Sequence, residues 1–553
     1  MSLRRKLMPE EQAAVEQSEQ REKTAQQLRE EVERLRRDFS LEALRDKLPL
    51  RFPSARPGSG EFRAWSWYSY PGWRALSEPG QMAVLNALYV ALHLIDFSPL
   101  RVELVALSMI ALNAAGQTPF DPVSLFLCGL LRLEKSLGWQ ELAKFLAGPE
   151  GGCWRRVLGF NQGHTPSASA MRHFFTSLGS AFDTDLGPRF IELLHSASLL
   201  PEHSTHSSAP AERGLPLAVD GQLHEAHSSM QCGQVTDTCY EPTSPQQPRP
   251  CPARDKGHDG CECSESTCQS ACRLTTPRDL DARLIHYSGT NQAGQEMPGR
   301  ARNVYGYRSY AKLLCDDELH IAWVAHTSVH SANTDERVIF PADFDYLSQH
   351  RLPQVHVGEV VADAALGFAD CLNPIYDAKA IPIIVIRHDE SDQDKTACKL
   401  RGYDENGHPL CPHGYPMAFN GLDYERLRAS WACRQTCAHL PDAQPGDSEC
   451  PFRDPDQPVG LIRHISRAFV HPDGSRHERL ARLYPYDSQL WQDHYAARKN
   501  AAEGRNSQLA RLGLKRVWSY DLSGATADIT FADLLINLRT LGRLVQQASR
   551  LVA

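Results

Sequence analysis

Apolar positions fall along the chain in two patterns, helical stripes in the first third and short continuous runs after it. Met82 to Ile95 and Arg101 to Ala114 read as apolar helices parted by Ser98-Pro99. Asp121-Pro122 supplies a cap and a first-turn proline for a helix over Val123 to Leu137. Gly138 then separates it from Gln140 to Leu146, and Thr165-Pro166 precedes a helix over Ser167 to Leu178. From Leu215 the runs change. Leu215 to Gly221 reads LPLAVDG and Val355 to Asp363 reads VHVGEVVAD, each an apolar run that closes on an acid. Both predict buried strands whose ends deliver Asp220 and Asp363 into a cleft. Val304–Leu314 and Leu319–Thr327 predict a hairpin closed by Cys315-Asp316-Asp317-Glu318.

Asp343 to His350, with Pro341 just ahead, predicts a short helix. Gly367–Ala380 predicts another, and Ile381 to Arg387 (IPIIVIR) a further buried strand. Ser488 to Leu512 reads as a helix carrying Glu503, and Phe531 to Val552 as a final amphipathic helix with Leu534, Leu535, Leu538, Leu541 and Val545 on one side. The order strand, hairpin, helix, strand, helix, strand predicts an α/β fold. Its mixed sheet has three antiparallel strands followed by parallel ones, with helices on both faces, the ribonuclease-H-like arrangement.

Around that core the chain divides by composition. Residues 1–60 read as a charged helix (9–37) and a Pro/Gly linker (48–60). Residues 61–200 are helical, and helix-turn-helix DNA binding and a plain bundle describe them equally well. The core begins at 210–390 and is interrupted over 225–300 by Cys, Pro, Ser and Gln with little apolar content. A second polar insertion covers 391–485, and 486–553 carries the last two helices.

The chain has 553 residues and a net charge of −8, which argues against nucleic-acid binding on bulk charge alone. Distribution changes that picture. Between Tyr495 and Arg516 stand six cations (Arg498, Lys499, Arg505, Arg511, Lys515, Arg516) and one acid, Glu503. That pattern suits phosphates meeting the cations while a metal holds the glutamate. Seven of the 16 cysteines lie between Cys232 and Cys272 and five between Cys398 and Cys450. With no apolar leader or spanning run the chain is expected in the cytoplasm, where clustered thiols point to metal more than to disulfides. Cys411, Cys433, Cys437 and Cys450 offer four thiolates for one structural Zn²⁺.

In these residues and their order the chain resembles bacterial insertion-sequence transposases of the DDE type. LAVDG (Asp220), the GYRSY strand (Gly306 to Tyr310), VVADAALG (Asp363) and RKNAAEGRNSQLARLGLKR (Glu503) carry the resemblance. The family implies Mg²⁺ or Mn²⁺ held by Asp220, Asp363 and Glu503. It also implies cleavage of transposon ends, transfer of the 3′-hydroxyl into target double-stranded DNA, and a homodimer at synapsis. Tyr495, Arg498, Lys499, Arg505 and Arg511 are the residues it would set against DNA. Here Lys499, four residues before Glu503, takes the step that the family gives to arginine. Two ions about 4 Å apart can activate an attacking oxygen and stabilise the leaving one. Glu359 shares a strand face with Asp363 by alternation and competes with it, as do Asp370 and Asp377. Two further readings stay open: a nuclease of the same fold without strand transfer, and an inactive zinc-containing DNA-binding protein.

Overall fold

Asp121 accepts a hydrogen bond from the Val123 amide at 2.9 Å, with Pro122 in the first turn, so the helix begins where the cap predicts. The computed structural model describes residues 41–53, 67–201, 214–228, 279–287, 302–386, 402–434, 459–466 and 482–552, less 77–78, 109–118, 162–163 and 317–318. It also describes Gln26, Glu30, 238–241 and 244–250. Apart from Gln26 and Glu30, the charged helix expected over 9–37 lies outside these residues, as does most of the first Cys-rich insertion.

Four helices of the amino-terminal layer matter most: α1 (Ala87–Leu94), α2 (Pro122–Glu134), α3 (Ala168–Leu178) and α4 (Ser180–Ser196). Helix α2 is buried on every side from Pro122 to Leu131, so it is the centre of this layer and not an amphipathic cover. Ser167 caps α3 by accepting from the Ala170 amide at 3.2 Å. The expected linker over 48–60 is in part structure. Leu50–Arg51 pairs in parallel with Ile95–Asp96, and the Phe52 ring stacks on Phe97 at 5.3 Å. Two buried apolar residues, Leu50 and Phe52, outweigh the turn-forming composition around them.

The main sheet is built from β1 (Leu215–Glu225), β2 (Arg302–Asp316), β3 (Ile321–Ser331), β4 (Val357–Ala362) and β5 (Ile381–Ile384). Their order is β5-β4-β1-β2-β3, and Arg283–Tyr287 extends the pairing at the start of β2. Strands β1, β2 and β3 are antiparallel neighbours, while β4 runs parallel to β1 and β5. The expected mixed sheet is therefore present, but β1 is longer than its apolar run. It continues through GQLHE, because Gln222 to Glu225 pair with Ser309 to Gly306. Asp220 lies in the middle of a strand, not at its end.

Helix α5 (Glu336–Asp345) starts earlier than Pro341 suggested. Asp335 caps it, and Pro341 falls inside the helix. With α6 (Ala369–Asp377), α7 (Gln489–Arg511) and α8 (Leu522–Val552) it covers the sheet. Alternation puts Lys312 on one face, where it meets Asp343 of α5, and Thr327 on the other, where it donates to Asp533 of α8 at 2.6 Å. Asn537 of α8 satisfies both backbone groups of Val324 on β3, at 2.9 Å each. Helix α8 begins nine residues before the expected Phe531, and its rings reach the amino-terminal layer: Phe531 lies 5.0 Å from Phe126 and 5.2 Å from Phe175. One buried cluster runs from that layer through the sheet into α8.

The polar insertion over 391–485 is more than turns. Strands Ala418–Asp423, Arg428–Ala432 and Ile462–Ser466 form an antiparallel sheet, with Trp431, Ala429, Ile465 and Met417 buried against it. Single aromatic and aliphatic residues, spaced too widely to show as a run, make this small core.

Candidate active site

Asp220 is half-buried at the centre of the sheet, opposite Ala311 of β2. On its other side β1 and β4 are in parallel register, with Ala218 level with Val361. Two further steps bring Asp220 level with Asp363. The backbone of Asp363 stays extended (φ −78°, ψ −176°) just past the end of β4, so the alternation carries through to it. The Asp363 side chain accepts from the Ala365 amide at 2.9 Å and caps the turn Ala364–Leu366. Two aspartates thus stand at matched positions on adjacent strands.

Helix α7 crosses this face of the sheet. Three side-chain contacts fix it. His494 Nδ1 lies 2.8 Å from Glu359 Oε1, with both side chains buried and the Tyr484 ring stacked 4.6 Å from the imidazole. Arg505 donates to both oxygens of Asp533 on α8 at 2.8 Å. Asn506 donates from Nδ2 to Asp220 Oδ2, also at 2.8 Å. Glu503 is exposed on the same helix, one turn before Asn506.

The register therefore sets Asp220 and Asp363 at matched positions on neighbouring strands, and α7, the helix bearing Glu503, contacts Asp220 through Asn506. Among the described residues no three His, Cys, Asp or Glu side chains are gathered into a closed metal cage, so the three carboxylates are not drawn into one cluster. Glu359, the competing acid, is buried at 3% exposure against His494 and acts as the anchor of α7. Arg505 corrects the DNA-facing set: it is buried at 2%, and its guanidinium is clamped by Asp533 instead of facing solvent. Tyr495 is half-buried and stacks on Trp491 at 4.5 Å. Arg511, Lys515 and Arg516 are exposed, and Arg516 lies 3.3 Å from Glu225. The side chains of Arg498 and Lys499 lie outside the described residues.

Of the four cysteines proposed for zinc, Cys411 is buried and Cys433 half-buried, while Cys437 and Cys450 lie outside the described residues. The Cys411 carbonyl accepts from Gly414 at 2.8 Å in a tight turn, and the Cys433 amide donates to Leu461 at 2.7 Å beside the small sheet.

The GYRSY segment divides its side chains between the two faces. Ser309 Oγ lies 2.8 Å from the buried His224 on the α7 side, while Arg308 reaches Glu336 of α5 at 3.2 Å on the other. Gly306 is required by packing, because a Cβ there would collide with the His224 carbonyl. Sequence reasoning missed His494 and Asn506. The alternation that puts Glu359 on the face of Asp363 also puts it on the face that α7 covers, but it names no partner for that acid.

Comparison with family models, curated proteins and solved structures finds no match in any of the three. Among the described residues no helix is long and apolar enough to cross a membrane.

Proposed function

We propose that this chain is a metal-dependent DNA transposase of the DDE type on a ribonuclease-H-like core. The observation that carries the reading is the matched placement of Asp220 and Asp363 on β1 and β4, beneath a helix that presents Glu503. The strand order, with a central β1 flanked by antiparallel β2 and parallel β4, agrees with that core. Sequence resemblance supplies the rest.

The donor set fits the implied ion. Asp220, Asp363 and Glu503 offer only carboxylate oxygen, which selects a hard divalent cation, and Mg²⁺ keeps several waters and needs few protein ligands. When bound, Mg²⁺ or Mn²⁺ would supply charge neutralisation at phosphorus and a more acidic attacking water or hydroxyl. The chain's own residues hold and orient. The sheet fixes the two aspartates, α7 brings Glu503 from a different direction, and exposed Arg511 and Lys515 offer cations to DNA phosphates. The insertion would hold a structural Zn²⁺ through Cys411, Cys433, Cys437 and Cys450.

The test is a set of charge-removing, shape-keeping variants: Asp220→Asn, Asp363→Asn and Glu503→Gln. Each should lose Mg²⁺-dependent cleavage and strand transfer while still binding the transposon end in a gel-shift assay. Full activity in any one refutes that residue's role. Cleavage without strand transfer by the unaltered chain would identify a nuclease instead.

A further inference from the structure

We propose that Asn506 is a positioning residue that sets the Asp220 carboxylate and the height of α7 over it, an inference that rests on the reading of Asp220 as a metal ligand. Among the described residues of α7, Trp491, Ala501, Ala502 and Leu509 are buried apolar residues, His494 is held by Glu359, and Arg505 by Asp533. Asn506 reaches β1 by a side-chain hydrogen bond, and it does so at the one acid on the face of that strand covered by α7.

A carboxylate on a single carbon rotates about Cβ–Cγ. A donor on Oδ2 restrains its plane, and since a carboxylate has about four lone-pair positions, such a bond does not by itself occupy the group. A ligand oriented in advance binds metal more tightly than one that must be ordered by the ion, which is why groups behind the ligands typically alter affinity by about 10- to 100-fold. The same bond sets α7 against β1. Glu503 lies three residues before Asn506, so the contact also fixes how far along the strand the glutamate stands. Stability does not require this bond, because α7 is already held by the two buried pairs and its apolar residues.

The experiment uses the full chain and Mn²⁺ alone, titrated by electron paramagnetic resonance, with thermal melting as the folding control. Asn506→Ala and the shape-matched Asn506→Leu should weaken Mn²⁺ binding by about 10- to 100-fold. Both should melt close to the unaltered protein, and Asn506→Gln, which keeps the amide, should recover part of the affinity. Asn506→Leu carries the test if Asn506→Ala does not fold. Unchanged Mn²⁺ affinity in the Asn506 variants, while Asp220→Asn loses the ion, would overturn the positioning role and leave the site standing. Unchanged affinity in Asp220→Asn would overturn both.

Discussion

His224 is fully buried, with Nδ1 2.6 Å from the Leu514 carbonyl and Nε2 2.8 Å from Ser309 Oγ. A carbonyl only accepts, so Nδ1 carries the proton; the lowered pKa keeps the ring neutral at pH 7, and Nε2 then accepts from the serine. Burial pushes its pKa down to about 4, against the pull of the Leu514 carbonyl and helped by the Arg505 charge. In the unfolded chain it titrates near ~6.5. As pH falls from that value towards 4 the unfolded chain takes up the proton first, so stability present at neutral pH is lost across this window. A shift of this size corresponds to roughly 3 kcal/mol. His93, His326 and His330 are lowered by burial too and add to the same slope. Urea unfolding at pH 7 and pH 4.5 should show the loss, and His224→Gln should narrow the difference. An unchanged difference in the variant would remove His224 from the account.

At the scale of elements, legibility followed the distance between partners. Helix α2 was readable because its cap and its apolar residues are neighbours in sequence. Strands β4 and β5 were readable because burial on both faces makes a continuous apolar run. The second half of β1 was not, since its polar residues are satisfied by β2, some 80 residues on. The same holds for the site. The two aspartates showed as run-ending acids, while Asn506 is an amide in a polar helix and His494 meets Glu359 across 135 residues. The small core of the insertion over 391–485 was not legible because it is made of scattered residues such as Trp431 and Tyr403. Its thiols give an element-scale prediction. Metal analysis of the purified chain should find one zinc per molecule, and Cys411→Ser should lose it along with protection of the insertion from protease. A zinc-free wild type with an intact insertion refutes the site.

At the scale of the molecule, α8 joins the two layers. Gly542 packs so closely on α1 that a Cβ would run into the Ala87 carbonyl, well inside van der Waals contact. Gly542→Ala must push the helices apart at a point where Leu541 and Val545 are fully buried. Overpacking of this kind costs about 1–3 kcal/mol. The variant should melt several degrees lower, whereas alanine at Gly504, which has open space around it, should not. Equal melting of the two would show that the helices can part without loss.

Helix α8 also follows every other element of the core along the chain. As the protein emerges from a ribosome, the amino-terminal layer and the sheet exist for some time without the helix that fills the space between them. During that interval β3 lacks Asn537 on Val324, and Phe126 lacks Phe531. Arg505 likewise waits without Asp533, so α7 rests on the sheet without its buried ion pair until α8 has been made. Domains that fold during synthesis close from the amino terminus onward. In this chain the helix that joins the two layers is made last, so the Arg505–Asp533 pair behind the candidate site forms only then.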